Sequence, residues 1–346
     1  MSTRLAEPVL STFFEKSLPG TILPYGVLPL NNNPGLVECP NFRTSILLDK
    51  EGDSPIGFGV MNRLSAKQAY CMVGQVSDKY KRKFVSIEKE EGDDVNSVYR
   101  VKTVEDQGAD KNLMRTFHAV FGEDQTKYVQ MALADSLFEQ SIGTFNMDME
   151  KNITVDVLGN DVANLDIWRD HAGFVIADAC RFAEITCKRK AVIDALASSA
   201  EECTDSIVSI GKENTGDVLD FDEAVTLYQR APYVNYLLNH QAISGFIATS
   251  GPGSASGYGL VCGNRVLQCY AENSAAACKL LTTMASQGAP NEEISFFARL
   301  GANPAIDQLA YRADRVQIVN RLHTRTKSMQ VKWEKVHVVN IGFSII

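Results

Sequence analysis

The chain has 346 residues, of which 45% are hydrophobic and 22% are charged, and its net charge is −8. One hydrophobic core seldom grows beyond about 250 to 300 residues, so this length predicts two domains. The acidic balance argues against a general nucleic-acid-binding protein, because such proteins carry a basic stripe. The sequence has no run of ~18 apolar residues and no signal-peptide pattern at its start, so we expect a cytoplasmic protein without a membrane partner.

Three predicted strands follow a proline-rich lead-in. Residues 43–48, 56–61 and 70–76 are apolar segments separated by short polar turns, which favours an antiparallel meander. Residues 86–111 differ, because they carry eight acidic and four basic side chains. This composition favours a solvated insertion, and a surface hairpin around residues 98–104 is the alternative.

The middle of the chain predicts a helix, a strand and a second helix. Apolar side chains recur at every fourth position of residues 127–140, which is typical of an amphipathic helix. In residues 153–157 apolar side chains alternate with others, as they do in a strand. A short helix follows, and we expect Gly173 to end it in the left-handed conformation, so that Phe174 returns to the core.

The second half begins after a polar segment, residues 197–216, which we interpret as a linker. A glycine-rich segment at residues 250–257 lacks the Gly-Lys-Ser/Thr of a nucleotide-binding loop and precedes a strand, so it predicts a hairpin turn. The other predicted elements are helices at residues 222–238 and 275–286 and strands at residues 244–249, 258–262, 266–270, 316–320 and 335–345.

Two segments resemble one enzyme family. The late motif N-x-x-A-x-x-[LI]-[YW]-E-K-x-G-F of the GNAT (Gcn5-related N-acetyltransferase) fold is similar to residues 160–174, with one extra residue before the glycine. The matching positions are Asn160, Ala163, Ile167, Trp168, Gly173 and Phe174. Residues 257–259 (Gly-Tyr-Gly) and 270–273 (Tyr-Ala-Glu-Asn) resemble the C-terminal domain of two-domain YitH/HolE-type proteins of the nematode kind, and Asp222 and Arg230 fit its Asp…Arg pattern.

The resemblance implies an α+β architecture. Residues 1–196 would form a GNAT-like domain with a mixed sheet flanked by helices, and residues 217–346 a second, smaller GNAT-like α/β domain. It also implies an N-acyltransferase that moves an acyl group from acetyl-CoA to a small-molecule or protein amine. The alternative is a catalytically degenerate GNAT-like protein that binds a ligand or serves in interactions. The family threads pantetheine between two strands, so residues 153–174 should lie beside residues 70–76 or 116–121.

The cofactor loop of the family is missing from this sequence. GNAT proteins bind the CoA pyrophosphate with backbone N–H groups of [QR]-x-x-G-x-[GA] at a helix N-terminus. Two segments are candidates for that role. One contains Lys81, Arg82 and Lys83, whose charges could contact phosphate directly, although a solvated basic face is equally consistent. The other begins at Gln125, before the predicted helix.

The family also implies residue roles near the thioester. The amine attacks directly, a carboxylate or water removes its proton, and a tyrosine often protonates the leaving thiolate. Asn160 and Trp168 fall at family positions in the cofactor-binding part. An indole is not a useful proton donor, so we favour Trp168 as a core aromatic and keep Tyr80 and Tyr128 as candidate catalytic residues.

Overall fold

The computed structural model describes residues 42–49, 55–77, 80, 83–92, 96–103, 127–143, 151–159, 165, 168–169, 173–227, 230–251, 254–326 and 331–341. The chain divides into two compact units. Unit 1 comprises Met1–Ala177 and Leu322–Thr326, and unit 2 comprises Asp178–Arg321 and Lys327–Ile346. Each unit contains mixed β-sheet with packed helices, so the predicted α+β class is confirmed.

Unit 1 contains the three meander strands and the helix that the sequence predicted. Its described strands are β1 (Phe42–Asp49), β2 (Pro55–Arg63), β3 (Gln68–Val76), β4 (Phe84–Gly92), β5 (Asn96–Thr103), β6 (Lys127–Tyr128), β7 (Asn152–Leu158) and β8 (Ile176–Ala177). Its described helix is α1 (Val129–Ser141). The strand order from β7 is β7-β3-β2-β1-β5-β4-β6.

The solvated-loop interpretation of residues 86–111 is wrong for the part that the structure describes. Strands β4 and β5 pair with each other, and β5 also runs parallel to β1 inside the sheet. Val98, Tyr99 and Val101 are buried. Burial of these three side chains offsets the entropic cost of ordering an otherwise charged segment. The overall composition of the segment does not indicate this burial.

The core of unit 1 lies between the sheet and α1. Leu133 and Leu137 of α1 are fully buried there, together with Trp168 and Phe174. The rings of Trp168 and Phe174 meet edge to face, with centroids 5.4 Å apart. Gly173 has a φ of +82°, so the predicted left-handed turn before Phe174 is confirmed.

Unit 2 holds the rest of the described elements. Its strands are β9 (Arg181–Lys188), β10 (Ser206–Ser209), β11 (Ile243–Gly251), β12 (Ser254–Cys262), β13 (Arg265–Ala271), β14 (Glu293–Leu300), β15 (Arg315–His323) and β16 (Val336–Val339). Its helices are α2 (Arg189–Glu201), α3 (Thr215–Thr226), α4 (Ala231–Leu238), α5 (Ser274–Ala285) and α6 (Pro304–Arg312), with a 3-10 turn at Trp333–Lys335. The strand order is β10-β11-β12-β13-β16-β14-β9-β15, and the last residues of β15 belong to unit 1.

The chain divides earlier than the predicted linker. The division falls between Ala177 and Asp178, and residues 197–216 contain the end of α2 and all of β10. These elements are half exposed and polar on one face, which made them resemble a linker. The single helix predicted at residues 222–238 is two helices, because Leu227 adopts a φ of 56° and a proline opens α4.

None of the helices in the described residues is both long enough and apolar enough to cross a membrane.

Gly257 allows β12 and β13 to approach closely. A Cβ at this position would lie 2.7 Å from the Tyr270 carbonyl oxygen, whereas a Cβ at Gly216 of α3 would meet nothing within 4 Å. We therefore expect Gly257→Ala to lower the free energy of unfolding by about 1 to 3 kcal/mol, because the backbone of β13 must shift. Gly216→Ala is the matched control and should be neutral or slightly stabilising. Equal urea midpoints for the two variants would contradict this account.

Candidate functional site

Strands β3 and β7 of unit 1 run parallel and are paired over only part of their length. Their register extends from Gln68 opposite Asn152 to Cys71 opposite Val155. Both strands continue beyond that level without further pairing to each other in the described register. At the same level the register between β2 and β3 skips Met72, an irregularity of the kind that bends a strand. The expected position of residues 153–158 beside residues 70–76 is confirmed for the paired part, and the pairing between the two strands ends at Cys71 and Val155.

A tyrosine and an aspartate meet where the strands part. Tyr70 lies within the paired part of β3, and Asp156 follows the last paired residue of β7. The Tyr70 hydroxyl donates a hydrogen bond of 2.8 Å to Oδ2 of Asp156, and both side chains are fully buried. Asp156 is the one buried acidic side chain among the described residues of unit 1.

A second group of hydrogen-bonded polar side chains lies beside this pair on the same face of the sheet. Thr154 is two residues before Asp156, so both side chains point to one side of β7. Its Oγ1 lies 2.8 Å from Nδ1 of His323 and accepts a hydrogen bond of 3.3 Å from the Gln68 amide. The Asn152 amide donates to Oε1 of Gln68 at 2.9 Å. These hydrogen bonds therefore fix the orientations of the Thr154, Gln68 and Asn152 side chains.

The N-terminus of α1 lies toward the end where the strands part. Lys151, which precedes β7, donates from Nζ to the Ile142 carbonyl at 2.8 Å, so the C-terminus of α1 is at the paired end. A helix of 13 residues extends about 20 Å in the opposite direction. Tyr128 is the N-cap residue and provides no side-chain cap, and the first turn has no acidic side chain. The N–H groups of this turn are suited to an anion.

The structure brings together the two segments that the sequence offered as alternative cofactor loops. Phe84 of β4 pairs with Tyr128 of β6, so Lys83 lies next to the start of α1. Lys83 is exposed, and its Nζ is 5.5 Å from the centroid of the Tyr80 ring. Tyr80 is buried and its hydroxyl donates to Asp49. The other predicted cofactor residues lie outside the described residues: Lys81, Arg82, Gln125 and Asn160.

Trp168 lies in the hydrophobic core of unit 1. It is fully buried against Phe174, and its indole N–H has no hydrogen-bond partner among the described residues. This burial supports the interpretation of Trp168 as a core aromatic rather than a ligand contact.

Sequence reasoning missed Tyr70, Asp156 and His323. All three occupy alternating polar positions of strands, which on sequence alone are typical of a solvated face. Only the pairing of β3 with β7, which are separated by about eighty residues of chain, makes them a buried cluster.

Unit 2 also has a pair of parallel strands, and the space between them is occupied by another strand of the chain, β16. Strands β13 and β14 are parallel and pair only at Arg265 and Ser295. Strand β16 then lies between them. It pairs with β13 through Val338 opposite Cys269 and with β14 through Val339 opposite Phe297.

A buried ion pair anchors the helices of unit 2 to β12 and β13. Arg230 donates two hydrogen bonds of 2.7 Å to the Asp222 carboxylate and one of 3.0 Å to the Tyr270 hydroxyl. The Tyr258 hydroxyl also donates to Asp222. Burial raises the pKa of Tyr270 to about 12. Burial, and then the Asp222 charge, hold the pKa of Tyr258 well above its usual range. The Asp…Arg pair singled out in the sequence is thus a structural contact whose partners are all satisfied.

Among the described residues, no cluster of three or more His, Cys, Asp or Glu side chains could hold a metal ion.

Two solved structures resemble this chain over most of its length. One is a protein from Pyrococcus horikoshii, provisionally described as an acetyltransferase, with 12% identity, a TM-score of 0.60 and coverage of 99% of this chain and 94% of that one. The other is a fungal multi-domain GH3 β-N-acetylglucosaminidase with a GCN5-related glucosamine N-acetyltransferase region. It has 10% identity, a TM-score of 0.52 and coverage of 92% of this chain and 37% of that one. The fold is that of the GNAT acetyltransferases.

The sequence itself matches one family profile. Residues 29–176 match a domain of unknown function, DUF7596. This match ends beside Ala177, where the first segment of unit 1 ends, so the profile and the contacts of the GNAT fold divide the chain at the same place. No curated protein sequence matches the chain.

We expect His337 of β16 to make the stability of the fold depend on pH. Burial, reinforced by the charge of Arg299, lowers the pKa of His337 from 6.5 to about 4. Between these values the unfolded chain binds a proton that the folded chain does not, so stability falls as pH drops from 6.5 to 4, by roughly 3 kcal/mol in total. We expect His337→Gln to flatten this part of the curve of unfolding free energy against pH. Parallel curves for the variant and the natural chain would contradict the assignment.

Proposed function

We propose that the chain is an acyl-CoA-dependent N-acyltransferase whose donor site is the crevice between β3 and β7 of unit 1. One observation carries the proposal. The parallel pairing of these strands ends at Cys71 and Val155, and the buried hydrogen bond between Tyr70 and Asp156 lies at that point. Backbone N–H and C=O groups beyond this level can pair with an extended amide chain such as pantetheine, because a buried backbone group requires a partner.

The pyrophosphate end of acetyl-CoA would lie at the N-terminus of α1. The first turn of α1 has no side-chain cap, and Lys83 is adjacent through the pairing of Phe84 with Tyr128. The helix N–H groups favour an anion, and Lys83 adds a full positive charge. Positive charge then replaces part of the pyrophosphate binding that the backbone of the glycine-containing loop provides in the family. The proposal includes Lys81 and Arg82 of the same segment.

The Tyr70–Asp156 pair would manage the proton of the reaction. The amine nitrogen of the acceptor attacks the thioester carbonyl carbon, a C–N bond forms and the C–S bond breaks. Asp156 takes the proton that the amine loses, and Tyr70 donates its proton to the leaving thiolate. The hydrogen bond of 2.8 Å between them lets Asp156 return a proton to the Tyr70 oxygen. This assignment takes the place of Tyr80, whose hydroxyl is bonded to Asp49, and of Tyr128.

The acceptor in this proposal is a small-molecule or protein amine. Asp156 is the one buried acid among the described residues of unit 1, and its carboxylate would accept the proton that a neutral amine loses as it attacks the thioester. The YitH/HolE type of the C-terminal unit, its nematode kind, a cytoplasmic location and the lack of nucleic-acid or membrane partners stay predictions.

A second candidate is a GNAT-like protein that binds acyl-CoA without transferring the acyl group. Trp168 favours it, because this aromatic falls where the family often has a proton-donating tyrosine and is buried in the core. The two candidates differ in one respect that is measurable: in the second, the donor binds but no acylated amine forms.

Charge at Lys83 should control donor binding. We expect Lys83→Glu to weaken CoA binding about tenfold or more in calorimetric titrations, since a charge-assisted phosphate contact becomes a repulsion. Lys89→Glu makes the same change of charge at an exposed position within β4 and should leave the affinity within about twofold. Raising the salt concentration should weaken binding to the natural chain. Equal effects of the two variants would contradict the placement of the pyrophosphate.

Tyr70 and Asp156 should act on the rate and not on donor binding. We expect Asp156→Asn and Tyr70→Phe to lower kcat by about 100-fold or more with acetyl-CoA and a primary amine, as loss of a general acid or base does. CoA affinity should change by less than about threefold. Glu139→Gln, at an exposed position of α1, is the control. Unchanged turnover in both variants would remove the pair from the mechanism, and no turnover in the natural chain would favour the second candidate.

A further inference from the structure

We infer that each chain binds one acyl-CoA, in unit 1, because in unit 2 strand β16 fills the crevice and the Asn273 side chain caps α5, the helix before the second parallel strand. The inference rests on the proposed function of unit 1. It assigns the two GNAT-like units different roles: unit 1 binds the acyl donor, and unit 2 does not.

In both units a helix directly precedes the second of two parallel strands. In unit 1 the chain passes from β3 through β4, β5 and β6 to α1, and α1 is followed by β7, which runs parallel to β3. In unit 2, β13 is followed by α5 and then by the parallel strand β14. The strands of each pair are in contact at one end and part at the other, so a crevice of the same origin arises in both units.

Strand β16 lies in the crevice of unit 2 and pairs with both of its strands. On one side Cys269 and Tyr270 of β13 pair with Val338 and Val336, and on the other Ala298 of β14 pairs with Val338. The backbone groups that an incoming pantetheine would use are therefore taken by the chain itself.

The side chains of β16 are as buried as the core. Val336, Val338 and Val339 have no exposed surface, and Val338 belongs to the main hydrophobic cluster of unit 2. A ligand that displaced β16 would expose these side chains and break hydrogen bonds on two strands at once. The strand is thus a permanent part of the sheet and does not act as a lid.

The helix that follows β13 is also closed to an anion. The Asn273 side chain is the N-cap of α5 and accepts a hydrogen bond of 2.9 Å from the Ala276 N–H. In α1 the N-cap residue, Tyr128, provides no such bond. Two independent features, the filled crevice and the capped helix, therefore separate unit 2 from unit 1.

Calorimetric titration of the full chain with CoA tests the number of sites. We expect one site per chain, binding at that site weakened about tenfold or more in Lys83→Glu, and no second site in Asn273→Gly, which removes the cap of α5. Two sites, or one site that Lys83→Glu leaves intact, would overturn the inference. No heat at all would show that the proposed function of unit 1 has failed, and the inference falls with it.

Hydrogen exchange measured by mass spectrometry shows which strands CoA contacts, whatever the number of sites. Amides of residues 336–339 should exchange slowly in the free protein and remain unchanged when CoA is added. Amides of residues 72–76 and 156–158 should gain protection, because the donor pairs with them. Fast exchange of β16 in the free protein, or faster exchange of β16 with CoA, would overturn the closed crevice even where unit 1 binds the donor as proposed.

Discussion

The parallel pairing of β3 with β7 is the interaction on which the rest of the account depends. It brings Tyr70 into contact with Asp156 at 2.8 Å, and we propose that its end at Cys71 and Val155 opens a gap inside the sheet. Backbone groups on the sides of such a gap need partners, because buried N–H and C=O groups are seldom left without one. The end of the β3–β7 pairing therefore provides both a binding place for an extended ligand and the reactive side chains beside it.

The two units show alternative solutions to the same geometric problem. A sheet whose parallel strands diverge must fill the gap with a ligand or with its own chain. Unit 2 uses β16, with Val336 and Val338 as buried anchors, and secures its helices with the Asp222–Arg230 ion pair. That pair is fully hydrogen-bonded and buried, so it favours one packing of α3 and α4 and is less suited to binding a ligand.

The sequence predicts the local elements well and the site poorly. The meander, α1, the turn at Gly173 and the strand at residues 153–157 follow from apolar periodicity and from the conformational freedom of glycine, which are local properties. A surface hairpin around residues 98–104 was only the alternative to a solvated loop, because the three buried side chains of β5 are diluted by surface charge. Tyr70 and Asp156 were missed because their contact depends on strand register across a long connection, and no local pattern records that register.

The most direct test of the central claim is a crystal structure of the chain grown with acetyl-CoA. The account predicts electron density for pantetheine between β3 and β7 of unit 1, the thioester next to Tyr70 and Asp156, and the pyrophosphate at the N-terminus of α1 beside Lys83. Strand β16 should keep its place in unit 2. Density for the donor in unit 2, or an empty crevice at saturating acetyl-CoA, would contradict the account.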